Sequence, residues 1–452
     1  MKKFFAAIRN IWNHEELRKK ILFTLGILLV YRIGSYVLLP GIDAVKMEDS
    51  SATGSGSIAD FLGLFTGGAF NRASIFALGV MPYISASIVI QLLGLAVPTV
   101  QKLQREGESG RRKINQWTRF LTIGIAMVQA PGYLAQYVDY NQVVDKEHFQ
   151  YFPWLVTCIA VIIGSTLFVM WLGEKITDKG IGNGTSLIIM TGILSELPSG
   201  FYREFMDPSQ TSFFFMIEVA VMVIIIGGTV AIIQAVRRIP VQMAKMAAGG
   251  SHLPQGEGAR SYIPLRVNAA GVMPIIFAQA IMFVPMYLSN TEMFQNNKVL
   301  ASLTNYQGVG YNMLLMVMII LFTFFYTAIV TNPNQIADDL KRNGNFVPGI
   351  KPGKDTAEFI DRVLSSITLP GGIFVGLIAI LPALVVTMNL TKVDMFAQFF
   401  GGTSMLITVG VILDLLQQIE SHLLSRHYDG LMQSGRVRGR NSGNVASSGY
   451  TV

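Results

Sequence analysis

Charge is scarce in this 452-residue chain. Only 14% of its residues are Asp, Glu, Lys or Arg, while 51% are hydrophobic. A soluble domain carries about 25% charged residues, so a globular protein with an ordinary charged surface is excluded. Cysteine is nearly absent: Cys158 stands alone, and no intrachain disulfide can form. It lies in an apolar run and reads as a packing residue. The five histidines, at 14, 148, 252, 422 and 427, fall outside apolar runs or at their edges. There is no HExxH, no catalytic dyad by spacing and no glycine-rich phosphate loop. An intramembrane enzyme is therefore disfavoured, no metal or cofactor is implied, and any energy for transport must come from a partner.

Long apolar runs fill the space that charge leaves. Ten candidate spans are predicted: 21–39, 74–97, 117–137, 153–173, 184–202, 213–236, 268–288, 310–331, 367–389 and 401–421. Runs of this length cross a bilayer as helices. Residues 1–20 pair Lys2, Lys3, Arg9, Arg18, Lys19 and Lys20 with a rough apolar face, as an interfacial helix does. No small-residue cleavage pattern comes after the run at Ile21, so it reads as a retained span. With the N-terminus inside, inner segments hold 28 of the 35 Lys and Arg residues and outer segments hold six. That asymmetry places both termini in the cytoplasm. Two inner loops, 237–267 and 332–366, are long and basic, which points to a docking surface. The tail 422–452 is polar.

The stretch from Ser57 to Val97 is singular. Ser74–Val97 carries no charge and is expected to be one spanning helix. Before it, Ile58–Phe65 is apolar but too short to span, and Gly67–Gly68 separates the two, with Asn71 and Arg72 as a polar joint. A half-helix at membrane depth is tolerated only inside protein or beside a water-filled cavity. A cavity is therefore expected, with this segment in it. Charges away from span ends are few, namely Arg32, Glu218 and Asp414, while Glu196 and Pro198 crowd the end of the fifth span. Arg32 needs a partner or a wet cavity, and a structural role is expected for it.

Several motifs share one resemblance. LGVMPYISASIVIQLL at 78–93, YRIGSYVLLPGID at 31–43, EGESGRRKINQWTRFLT at 106–122 and WLGEKITDKGIGNGTSLIIMTGI at 171–193 resemble the SecY family of protein-conducting channels. PLRVNAAGVMP at 264–274, NPNQIADDLKRNGNFVPGIKPG at 332–353 and FGGTSMLITVGVILD at 400–414 are similar to the same family in the same order. The resemblance implies an all-α polytopic membrane protein. Ten transmembrane helices would form two pseudo-symmetric five-helix halves, 21–202 and 213–421, around a central pore with a short plug helix near 58–70. Ten spans divide as five plus five, and odd-numbered halves insert with opposite topology.

The resemblance also assigns residues. The pore ring would be Val80, Ile84, Ile189, Ile276 and Ile407, with Thr185 beside it at a usually aliphatic position. A narrow aliphatic ring closes by dewetting and binds no passing side chain. The plug would be Ile58, Phe61, Leu62, Leu64 and Phe65, and the lateral gate Ser85, Gln129 and Asn268. Arg237, Arg238, Lys245, Arg260 and Lys351 would dock partners. At 351 the family usually has Arg, and Lys keeps the charge without the bidentate fork. Leu28 reads as lipid-facing. Implied partners are SecE, a SecG-like small subunit, the motor ATPase SecA, the ribosome, preprotein substrates and membrane lipids. The implied location is the plasma membrane. From a different class, an ion-coupled secondary transporter is the alternative, and the thin supply of intramembrane charge speaks against it.

Overall fold

The computed structural model describes residues 14–43, 63, 65–138, 150–206, 212–243, 261–289, 308–388, 391 and 394–433. Helices dominate because a backbone in hydrocarbon must satisfy its N–H and C=O groups within the segment. In order they are α1 (Glu15–Gly34), α2 (Met81–Ala96), α3 (Pro98–Arg105), α4 (Glu108–Tyr137), α5 (Tyr151–Lys179), α6 (Gly184–Met206) and α7 (Ser212–Ile233). Next come α8 (Met273–Ser289), α9 (Val309–Val330), α10 (Pro333–Arg342), α11 (Lys354–Thr387), the short α12 (Asp394–Ala397) and α13 (Gly402–Gln433). Among the described residues, ten of these helices are 16 residues or longer, one for each predicted span. Five of them, α5, α7, α9, α11 and α13, are long and apolar enough to cross a membrane by length and composition alone.

The second span departs from expectation. Its helix begins only at Met81, with Pro82 in the first turn. Residues 67–80 run as turns, with Ala73 and Gly79 in the left-handed region at φ 48° and 51°. Neighbours supply the bonds that a helix would have made. Leu39 donates to the Ala73 carbonyl at 3.0 Å and Ile75 to the Val37 carbonyl at 2.8 Å. Tyr133 of α4 donates its hydroxyl to the Phe70 carbonyl at 2.7 Å, and Ser165 of α5 donates to the Ile75 carbonyl. Irregular backbone is thus present where protein surrounds it. Cys158 is buried beside this segment, in a cluster with Phe70, Ala77, Tyr133 and Trp154.

Both long loops carry regular structure in their described residues. Strands β1 (Val236–Met243) and β2 (Ser261–Arg266) form an antiparallel hairpin, and β3 (Asn345–Phe346) joins it from the second loop in the order β2-β1-β3. Pro240 pairs with Tyr262 and Pro264 with Arg238. These pairs lie two apart, so each proline's missing N–H falls where the strand faces away from its partner. Pro264 also interrupts the donor row on the free edge of β2, which blunts that edge against further pairing. Ile239, Leu265, Val347, Ile360 and Leu364 bury together beneath the sheet, tying it to the first turns of α11. Helix α10 starts on a cap: Asn332 Oδ1 accepts from Asn334 N at 3.1 Å and Gln335 N at 3.4 Å, and Pro333 is the first helical residue.

Candidate functional site

The five ring residues lie on α2, α6, α8 and α13 or at their ends, and they meet in one apolar cluster. Val80 is 5% exposed, Ile189 6% and Ile407 1%; Ile84 and Ile276 are half-buried and pack against the same cluster. Val80 caps α2, and its carbonyl accepts the Ile84 N–H at 3.0 Å, so these two side chains share one face of the first turn. Ile84 and Ile276 also touch a second cluster, built from Ile88 of α2, Ile275 and Phe277 of α8, and residues of α9, α11 and α13. They therefore sit where two packed bodies join.

Phe65 is buried in the same cluster as the ring. Ile58, Phe61, Leu62 and Leu64 lie outside the described residues. Gly192 of α6, one turn beyond Ile189, explains how the chain at 65–67 approaches so closely. A Cβ there would stand 2.6 Å from the Phe65 carbonyl oxygen and 3.1 Å from Gly67 N. Only glycine leaves room for backbone against backbone.

Thr185 is engaged elsewhere. Its hydroxyl donates to Asn183 Oδ1 at 2.7 Å, in the turn that caps α6. A Cβ added at Gly173 of α5 would lie 3.0 Å from its methyl carbon, which places that methyl against α5.

No hydrogen bond links the gate residues to one another among the described residues. Ser85 donates to the Met81 carbonyl of its own helix at 3.1 Å, a back-bond open to any helical serine. Gln129 is half-buried on α4. Asn268 is buried but lies in the turn before α8, not within that helix. Where α2 and α8 share a cluster, the shared side chains are apolar. A hydrogen bond between spans averages only about 0.6 kcal/mol, and serine satisfies itself locally.

Among the docking candidates, Arg237 and Arg238 are exposed on β1 and Lys351 is exposed just before α11. Lys245 and Arg260 lie outside the described residues. The sheet brings together what the sequence keeps apart, since Gln242 pairs with Phe346 and Met243 with Asn345. Basic side chains from two loops thus ride on one small folded unit.

Sequence reasoning misses one polar site. By sequence, Arg72 reads as part of a joint and Glu196 only crowds the end of a span. In the fold, Arg72 Nη2 lies 3.4 Å from Glu196 Oε1, and Arg32 Nη2 lies 4.0 Å from the same oxygen. The signal available is the lone Arg32 deep in an apolar run, which demands a partner. The partner's position, far along the chain, is not encoded locally.

The sequence profile of the SecY family matches residues 74–416. The chain belongs to the SecY family. Relatives are similar over almost their whole length. Protein translocase subunit SecY of Thermus thermophilus is 40% identical, over 98% of this chain and 100% of the relative. That of Haemophilus influenzae is 39% identical, over 94% and 96%. The fold agrees with solved structures of low identity. One described as the structure of a protein conducting channel has a TM-score of 0.58 at 16% identity, over 90% of this chain and 93% of that one. Sec61 in the canine ribosome-channel complex from the endoplasmic reticulum has a TM-score of 0.54 at 15% identity, with the same coverage. The mostly helical chain thus has the overall fold of this family and is a multi-pass membrane protein.

Proposed function

We propose that this chain is the central protein-conducting channel subunit of a Sec translocase, passing unfolded preproteins across the plasma membrane and releasing apolar segments sideways into lipid. One observation carries the reading: five aliphatic residues from four helices, assigned as a ring from sequence, converge on one buried cluster together with Phe65. An aliphatic constriction offers hydrated ions no replacement ligands and grips no cargo side chain, so it seals at rest and passes arbitrary sequence. Residues 58–65 act as the plug on one side of that ring. The chain is a channel and not itself an enzyme, so translation or ATP hydrolysis by a partner drives movement.

Small SecE and SecG-like membrane subunits complete the complex. The folded unit of β1, β2 and β3 carries Arg237 and Arg238 outward, with Lys351 nearby, and receives the ribosome or SecA at the cytoplasmic face. The distribution of Lys and Arg supports cytoplasmic termini.

Proteoliposomes holding the chain, its small partner subunits and SecA test this. ATP-dependent protection of a secretory precursor from external protease is expected only when the chain is present. Absence of protection, with ion-coupled solute uptake by the purified chain, would favour the transporter reading.

A further inference from the structure

Two arginines from different elements donate to one backbone oxygen. Arg32 Nη1 of α1 reaches the Gly67 carbonyl at 2.7 Å and Arg72 Nη2 reaches it at 2.6 Å. Arg72 Nε also donates to the Gly68 carbonyl at 3.2 Å. Glu196 of α6 closes the group from the other side, 3.4 Å from Arg72 and 4.0 Å from Arg32. Its other oxygen lies 3.4 Å from Ser199 Oγ. Tyr36 stands between the cations: both guanidiniums lie over its ring, at 4.7 and 4.5 Å, and Arg32 Nη2 meets its hydroxyl at 2.8 Å.

The backbone is shaped for this. Gly67 and Gly68 have φ of 65° and 76°. A Cβ on Gly67 would fall 2.7 Å from Arg32 Nη1 and 2.8 Å from Ser195 Oγ, and one on Gly68 would fall 2.7 Å from Glu196 Oε1. A side chain at 67 or 68 would crowd these groups, and the positive φ strains any residue but glycine there. The glycine pair that separates two apolar segments in sequence is, in the fold, the seat of a charge cluster. The side chains of Arg32, Glu196 and Arg72 are 23%, 14% and 36% exposed. Screening by water is therefore partial, and hydrogen bonds to charged groups count for more than neutral ones.

We propose that Glu196 is a positioning residue of the closed channel: with Arg32 and Arg72 it clasps the Gly67 carbonyl and so holds the trailing end of the plug against α6. The clasp links three elements, namely α1, the turn after the plug and α6. Displacing the plug must pull Gly67 from two charged donors, and Glu196 fixes where those donors point. The clasp thereby sets the threshold for opening. This inference rests on the channel reading above, in which residues 58–65 plug the pore.

The test measures resting ion conductance of the complex with its small partner subunits in planar bilayers. Glu196→Gln keeps the shape and removes the charge; a rise of about tenfold is expected, in line with loss of one charged hydrogen-bonding partner. Combining it with Arg72→Gln is expected to add less than the two single changes predict, because the residues act as one unit. Normal precursors should still cross, which a folding defect would prevent. If Glu196→Gln does not assemble, Arg72→Lys keeps the charge but cannot reach Gly67, Gly68 and Glu196 together, and a smaller leak is expected. Deletion of 58–65 serves as the reference. A sealed Glu196→Gln or Arg72→Lys channel beside a leaking deletion overturns the clasp and leaves the plug standing. If the deletion is sealed as well, both fall.

Discussion

Gly182 donates its backbone N–H to Gln418 Oε1 at 2.9 Å, joining the turn before α6 to the middle of α13. The neighbouring Gln417 accepts from Arg266 Nη2 of β2, also at 2.9 Å. Two consecutive side chains of α13 thus tie one half of the chain to the other and to the sheet. Leu415 packs against the same turn, since a Cβ on Gly182 would stand 2.9 Å from its Cδ2. Gln418→Leu keeps the bulk and removes the acceptor. The bond contributes on the order of 1 kcal/mol, so amide exchange at Gly182 should quicken by about fivefold. Unchanged exchange at Gly182 would show that the tie carries no weight.

Gly192 bears on the seal. A methyl group there meets the Phe65 carbonyl, which cannot swing aside as a side-chain tip could. Gly192→Ala should push residues 65–67 off α6, at a cost of about 1–3 kcal/mol. The expected outcome is a complex that still translocates but leaks ions at rest. A tight Gly192→Ala channel would mean that the segment relaxes without loss of seal.

Much of the fold is legible in the sequence, and the failures share a cause. Apolar runs fall on each of the ten long helices among the described residues, although only five of those helices are apolar enough to span by length and composition alone. The start of α2 escapes because Ser74–Val80 is as apolar as the helix it precedes. What breaks it is tertiary: Ala73 and Ile75 bond to the chain just after α1, and Tyr133 and Ser165 hold the flanking carbonyls. The hairpin is hidden by Pro240 and Pro264, which argue against strands until their register shows both facing away from the partner strand. Arg72 and Glu196 lie 124 residues apart, so nothing in either neighbourhood announces the other.

Lys351 tests the docking surface. It is exposed, and its backbone carbonyl accepts from Thr356 Oγ1 at 2.8 Å. That bond fixes the backbone into α11 and leaves the ammonium free to meet a partner. Lys351→Glu reverses the charge without touching the bond. Translocation driven by SecA or coupled to the ribosome should fall by about tenfold, while conductance of the isolated complex stays the same; exposed charges at an interface act mainly on encounter and partner choice. Lys351→Arg should raise coupling slightly by restoring the planar fork. Normal translocation by Lys351→Glu would remove the residue from the docking surface.

The ring makes the most specific demand. Val80, Ile189 and Ile407 are buried and Ile84 and Ile276 half-buried; on the proposed function all five would meet cargo when the channel opens. A cysteine at each position should crosslink to a precursor jammed in the channel. Leu28, which reads as lipid-facing in sequence, packs partly buried against the ring cluster and cannot serve as the control. Leu29 is 60% exposed and can. Asn in place of Ile84 and Ile276 introduces amides at the junction of the two clusters, where apolar neighbours offer few partners. An unpaired buried amide costs about 1–3 kcal/mol, and the cheapest remedy is to admit water. The double variant should therefore conduct ions at rest and accept precursors with weakened signal segments. Thr185→Ile is expected to behave differently from a ring change. It loses the bond to Asn183 and crowds Gly173, so it should loosen the start of α6 without tightening the seal. Silent ring cysteines beside a reactive Leu29→Cys would place the path of the cargo elsewhere.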